Sequence, residues 1–125
     1  MVIVVNDGLE YIARYITQQT VGYFAWLALD DGTTVEAAGT TALTSEITSG
    51  GLERALATVS YEASYKAVWS KVFTCTVAKT VEGCGCFNQL AVGGKMLMCH
   101  LFATTKNVDP SETLSLTMKL TVATS

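Results

Sequence analysis

Residues 113–122, Thr-Leu-Ser-Leu-Thr-Met-Lys-Leu-Thr-Val, alternate without a break. Leu114, Leu116, Met118, Leu120 and Val122 fall on one side, and Thr113, Ser115, Thr117, Lys119 and Thr121 on the other. A period of two is a strand with one buried and one wet face. No side chain in the segment performs acid–base or nucleophilic chemistry. The strongest signal in the chain is therefore architectural, and it directs the reading toward a structural or binding protein.

The rest of the chain extends the β pattern after one helix. Asn6-Asp7 offers an N-cap, with Glu10 three residues after Asp7 as in a capping box. Leu9, Ile12, Ala13 and Ile16 follow at helical spacing. The spacing predicts a short amphipathic helix over about residues 7–18, docked through Leu9, Ile12 and Ile16. Strands are expected from residue 21 onward. Residues 21–29 are apolar on both sides, as in a strand covered on both faces. Asp30-Asp31-Gly32 marks a turn. Residues 33–51 form a long connection, with a turn of helix expected over residues 42–47.

Residues 52–61 and 65–77 read as the next two strands. In the second, Tyr65, Ala67, Trp69, Phe73 and Cys75 share a face that Lys71 interrupts. Residues 81–88 read as a short strand broken by Gly83 and Gly85, Gly93-Gly94 as a turn, and residues 96–103 as an apolar strand. Residues 107–111 contain Pro110 and read as a loop. The sum is a single mainly β domain over residues 1–125. Its expected form is a β-sandwich or partly closed barrel of about six strands with one short N-terminal helix.

Charge narrows the partners. Only 15% of the residues are charged, although half are hydrophobic, against about 25% charged in an average globular protein. So little charge implies that part of the surface is covered by further copies of the chain or by another protein. A net charge of −3 and a pI near 5.0 exclude nucleic acid as the expected partner. No apolar run reaches the length of a membrane helix. Residues 1–5 lack the basic start of a secretion signal, so assembly in a cytoplasm is expected.

Catalytic and metal chemistry find little to work with. His100, the sole histidine, sits between Cys99 and Leu101 in an apolar run. A catalytic histidine needs an orienting carboxylate, and Asp30, Asp31 and Glu82 are the candidates. Cys75, Cys84, Cys86 and Cys99 read as buried reduced thiols. Cys84-Gly85-Cys86 with Cys75, Cys99 and His100 is the alternative zinc set, although its spacing differs from a zinc knuckle. One disulfide, between Cys75 or Cys99 and one of the other pair, is a further alternative. Gly50-Gly51 and Gly93-Gly94 lack the residues of a phosphate loop. Trp26, Trp69, Tyr61 and Tyr65 belong to the core or to a binding surface. No catalytic, cofactor-binding or metal-ligating residue is assigned, and no cofactor is expected.

The order of motifs resembles a family of small tailed-bacteriophage virion proteins of the tail fibre or tail-associated type. Its members open with Gly-Leu-x-x-Ile in a helix, here Gly8-Leu9-Glu10-Tyr11-Ile12, and continue to a Gly-Thr-Thr turn, here Gly32-Thr33-Thr34. Thr41-Ala42-Leu43-Thr44-Ser45-Glu46 matches a Thr-x-Leu-x-x-Glu stretch. Gly85-Cys86-Phe87-Asn88, Gly93-Gly94-Lys95-Met96-Leu97 and the alternating strand match the family's closing elements. Cys86 stands where leucine is usual, and Glu82 is displaced by one residue. The resemblance implies a non-enzymatic structural protein located in the virion after assembly in the host cytoplasm. Its implied partners are itself, as a homo-oligomer with a trimer as one option, and other virion proteins. Capsid decoration (a cement protein) and a carbohydrate- or receptor-binding module are the alternatives.

Overall fold

The alternating segment forms a strand, β8 (Thr113–Thr121), that buries Leu116 and Met118, half-buries Leu114 and Leu120, and leaves its threonines in water. It belongs to a computed structural model that describes residues 2–17 and 23–123. Along its whole length β8 pairs antiparallel with β5 (Lys66–Thr74), placing Met118 beside Trp69 and Leu114 beside Phe73. The other edge of β5 pairs antiparallel with β4 (Thr58–Glu62), which completes a three-stranded sheet in the order β4-β5-β8.

A five-stranded antiparallel sheet lies across from it. At its centre are β6 (Lys79–Phe87), β7 (Met96–Val108) and β2 (Trp26–Asp30), with β6 between the other two. Two short strands close the edges, β1 (Ile3–Val4) on β7 and β3 (Ala55–Leu56) on β2. Leu27, Leu29, Cys84, Cys86 and Met98 meet Trp69, Phe73, Leu116 and Met118 in one hydrophobic cluster. Ala28, Phe87, Met96 and Cys99 form a second, smaller cluster with Val5 and Leu43. Residues 27–30 are therefore buried on both faces, but the strand expected over residues 21–29 begins only at Trp26: Tyr23 is 79% exposed, and residues 21 and 22 lie outside the described residues. The architecture is an open mainly β sandwich with one helix. Among the described residues it has eight strands where about six are expected. The run at residues 52–61 serves both sheets as β3 and β4, and Ile3–Val4 adds an edge.

The helix departs from expectation in its start and in its face. It spans Asn6–Ile16, with Val5 as the capping position and no side-chain cap. Glu10 reaches forward to Arg14 at 2.7 Å instead of back to the first turn. Position 18 lies outside the described residues. Leu9 and Ile16 are 55% and 78% exposed, so only Ile12 of the expected trio packs, together with Tyr11. Gly8 is the reason. A Cβ at Gly8 would lie 2.3 Å from the Leu97 carbonyl oxygen, so the helix approaches β7 through its bare backbone at this point. Residues 8, 11, 12 and 15 then share the inner face by helical geometry.

Three further expectations change. No helix forms over residues 42–47. The Ser45 N–H donates to Asp30 Oδ1 (2.8 Å) and the Thr44 N–H to Thr34 Oγ1 (2.8 Å). The Thr34 hydroxyl donates in turn to Asp30 Oδ2. These amides are held by the turn at residues 30–34. The glycines of β6 do not break it. A Cβ at Gly83 would lie 2.6 Å from the His100 carbonyl oxygen, and one at Gly85 would lie 2.9 Å from the Phe87 ring. Only glycine fits there without displacement, and the ladder shifts register between Val81 and Gly83. Finally, β7 runs on to Val108, so the loop before β8 starts at Asp109.

Candidate functional site

The most distinctive surface arises where the two sheets end unequally. Val59 pairs with Trp69 and Tyr61 with Ala67, so their side chains share the core side of the three-stranded sheet. In the five-stranded sheet the facing edge is β3, which has two residues. After Leu56 the chain crosses through Ala57 into β4, and among the described residues no strand of the larger sheet covers Val59 and Tyr61. Every residue of β4 is exposed.

The result is an apolar groove of about 630 Å³ opening into the side of the core. Ile12 and Tyr15 of the helix form one wall, Leu56 and Val59 the other, and Trp69 and Leu120 line it from the smaller sheet. Its base is rigid. The Trp69 indole N–H donates to the Phe24 carbonyl. The Phe24 ring meets Tyr11 and Tyr15 edge-on at 5.7 and 6.3 Å. Beyond Val59 a second hollow of about 480 Å³ continues along Tyr61, Tyr65, Ala67 and Val122. The Tyr65 N–H donates to the Tyr61 hydroxyl at 3.3 Å. Two charge pairs on the flanking elements are internally matched, Glu62–Lys119 at 2.8 Å and Glu10–Arg14 at 2.7 Å. The Lys119 hydrogen bond holds the Glu62 carboxyl below its ordinary range. Such a surface suits another apolar surface.

His100 has a carboxylate neighbour, although none of the three named from sequence. Its Nδ1 lies 3.1 Å from Glu36 Oε1. That distance allows charge attraction, but the contact lacks hydrogen-bond geometry, and Nδ1 is buried with no hydrogen-bond partner. Glu36 Oε1 instead accepts the Leu101 N–H, on the edge of β7 that β1 leaves uncovered. Burial works to raise the Glu36 carboxyl, but hydrogen bonding and nearby positive charge hold it below the usual range. Asp30 organises the connection at residues 31–45, and Glu82 accepts the Thr105 hydroxyl at 2.9 Å.

Across the ladder His100 faces Cys84. Burial pushes that thiol up to about 12, the opposite of the shift a cysteine nucleophile requires. Cys86 and Cys99 are raised as well, chiefly by burial. All four cysteines are free and buried. The Cys75 thiol donates to the Val77 carbonyl at 3.0 Å. Among the described residues no group of three or more His, Cys, Asp or Glu side chains converges as a metal site.

The four aromatic candidates separate. Trp69 is buried and Trp26 half-buried, whereas Tyr61 and Tyr65 are exposed beside the groove. Sequence reasoning missed Glu36, and it missed Arg54, a buried arginine that holds the loop at residues 89–93. The available signal for Arg54 was a lone arginine within the apolar-flanked run Leu52-Glu53-Arg54-Ala55-Leu56. No protein-family model matches the chain, and no curated protein matches it.

Proposed function

We propose that the chain is a non-enzymatic structural protein of a tailed-phage virion, held by protein–protein contacts to copies of itself and to other virion proteins. The observation that carries the assembly reading is the uncovered core side of the three-stranded sheet. Val59, Tyr61, Tyr65 and Val122 stand exposed beside an apolar groove that opens directly onto Trp69. A chain that stays alone in water leaves the hydrophobic effect unused on such a face. The motif order from Gly8-Leu9 to β8 supports the phage virion, with the tail or its fibre attachment ahead of capsid decoration. The net charge of −3 supports protein rather than nucleic acid as the partner.

Two observations support a non-catalytic role. His100 faces a thiol held protonated by burial, and the groove is lined by hydrocarbon and aromatic side chains. The same lining disfavours a glycan site, because sugar hydroxyls need convergent polar partners. Mass spectrometry of phage particles purified from the source of the sequence tests the reading. Peptides of this chain are expected in stoichiometric ratio to other virion proteins. Its absence from every particle overturns the proposal.

A further inference from the structure

We infer that a second copy of this chain pairs with the first along β4, strand to strand and antiparallel, continuing the three-stranded sheet into six strands across a two-fold axis. This rests on the assembly reading above and names its partner and its contact.

The first support is the undefended edge. Exposed edge strands are normally guarded by a lysine, a proline, a bulge or an inward charge, because their free N–H and C=O groups recruit other strands. The β4 strand, Thr-Val-Ser-Tyr-Glu, carries none of the first three, and its ladder to β5 shows no register shift. Its one charge, Glu62, is matched within the chain by Lys119 at 2.8 Å. The opposite edge of the same sheet, β8, carries that lysine near its end.

The second support is complementarity. An antiparallel pair centred on Ser60 places Ser60 opposite Ser60 of the second copy, Val59 opposite Tyr61, and Thr58 opposite Glu62. No like charges meet, and Val59–Tyr61 is a favourable aromatic–β-branched pair made twice. A strand paired with its own copy in this way generates a closed two-fold contact, not an open fibre.

The third support is position. Tyr23, Leu56, Val59, Tyr61, Tyr65 and Val122 are 51–79% exposed and adjoin one another through the two hollows that share Val59. The pairing sets the two members on the edge itself, Val59 and Tyr61, against their counterparts in the second copy.

Sedimentation of the full chain tests the inference, with circular dichroism to confirm the fold of each variant. The wild-type chain is expected at twice its 13.3 kDa mass. Val59→Lys/Tyr61→Lys sets lysines against lysines across the axis, and the mass should halve while the β spectrum stays. Val72→Lys, also at an exposed position but on the outer side of the same sheet, should remain dimeric. Ser60→Cys should join two copies by a disulfide under mild oxidation, seen on a non-reducing gel, while the four native thiols stay buried. A wild-type monomer at high concentration overturns the inference. So does a double-lysine variant that remains dimeric, and a dimer that Ser60→Cys fails to link overturns the register. A monomer that is nevertheless found in phage particles sinks this contact and leaves the virion reading standing. A β4 dimer absent from every particle does the reverse.

Discussion

Arg54 and Glu46 form a bidentate ion pair in the interior, with Nε–H donating to Oε2 at 2.9 Å and Nη2–H to Oε1 at 2.6 Å. The side chains are 3% and 8% exposed. The Nη1 donors of Arg54 are used too. Nη1 reaches the carbonyls of Gln89, Ala91 and Gly93 at 2.9–3.0 Å, and the guanidinium stacks over the Phe87 ring at 3.8 Å. One side chain therefore ties the connection before β3 to the hairpin between β6 and β7. Removing one member of a buried pair strands the other without water, at about 3–5 kcal/mol. Arg54→Met should lower the stability of the chain by that amount in urea titration. Arg54→Lys should recover little, since a point charge cannot reproduce the planar fork. A loss below about 1 kcal/mol on Arg54→Met would show that the pair holds nothing.

The helix is expected to respond at Gly8 and Ile12, and little at Leu9 or Ile16. Gly8→Ala drives a methyl into the Leu97 carbonyl region, where a Cβ would sit 2.3 Å from oxygen. Overpacking of this kind costs about 1–3 kcal/mol, against the gain in helix propensity that alanine normally brings. Leu9→Ala and Ile16→Ala remove exposed side chains and should each fall within about 0.5 kcal/mol of the parent. Thermal melts of these three variants and of Ile12→Ala check the ranking. A stabilising Gly8→Ala would place the helix further from β7 than described.

Asp30 should prove the organiser of the long connection. Its Oδ1 accepts the Gly32 N–H (3.1 Å) and the Ser45 N–H (2.8 Å), its Oδ2 accepts the Thr34 hydroxyl, and the residue is fully buried. Hydrogen bonds to a charged group contribute about 1.5–3 kcal/mol each. Asp30→Ala should cost at least about 3 kcal/mol and speed hydrogen exchange at the Ser45 amide. Thr34→Val should give a smaller loss in the same place. Unchanged Ser45 protection in Asp30→Ala would refute the assignment.

These sites differ in how far the chain announces them. The core side of β8 is legible because a period of two leaves one assignment for Leu116 and Met118. The four cysteines are legible as buried, since a free thiol packs as a small apolar group. The face of the helix is not, because Leu9, Ile12 and Ile16 form as good a stripe as Gly8, Tyr11, Ile12 and Tyr15. What decides between them is a close approach to Leu97 from a distant strand. The same holds for Asp30, whose partner Ser45 lies 15 residues away, and for Glu36, which reaches Leu101 across 65 residues. The groove depends on β3 stopping after two residues, and no local pattern in residues 52–61 shows which of them belong to which sheet. Sequence alone therefore cannot separate exposed Tyr61 and Tyr65 from buried Trp69.

The buried thiols make stability fall in alkali. Burial raises Cys84 from its ordinary 9.0 to about 12, and Cys86 and Cys99 are also raised. In the unfolded chain these thiols ionise near that ordinary value of 9.0. Below that pH both states hold the protons, and the stability is fully present. Between about pH 9 and 12 the unfolded state sheds protons that the folded state keeps, so stability drops as pH rises. A three-unit shift corresponds to about 4 kcal/mol, an upper figure for Cys84 alone. Urea midpoints measured from pH 7 to 10 should decline, and the decline should be shallower in Cys84→Ala, although alanine itself lowers the starting value through the space it leaves. A thiol reagent at pH 8 should find the native chain unreactive and label all four cysteines once guanidinium unfolds it. Rapid labelling of native protein, or an identical alkaline slope in Cys84→Ala, would show that these thiols reach solvent in the folded state.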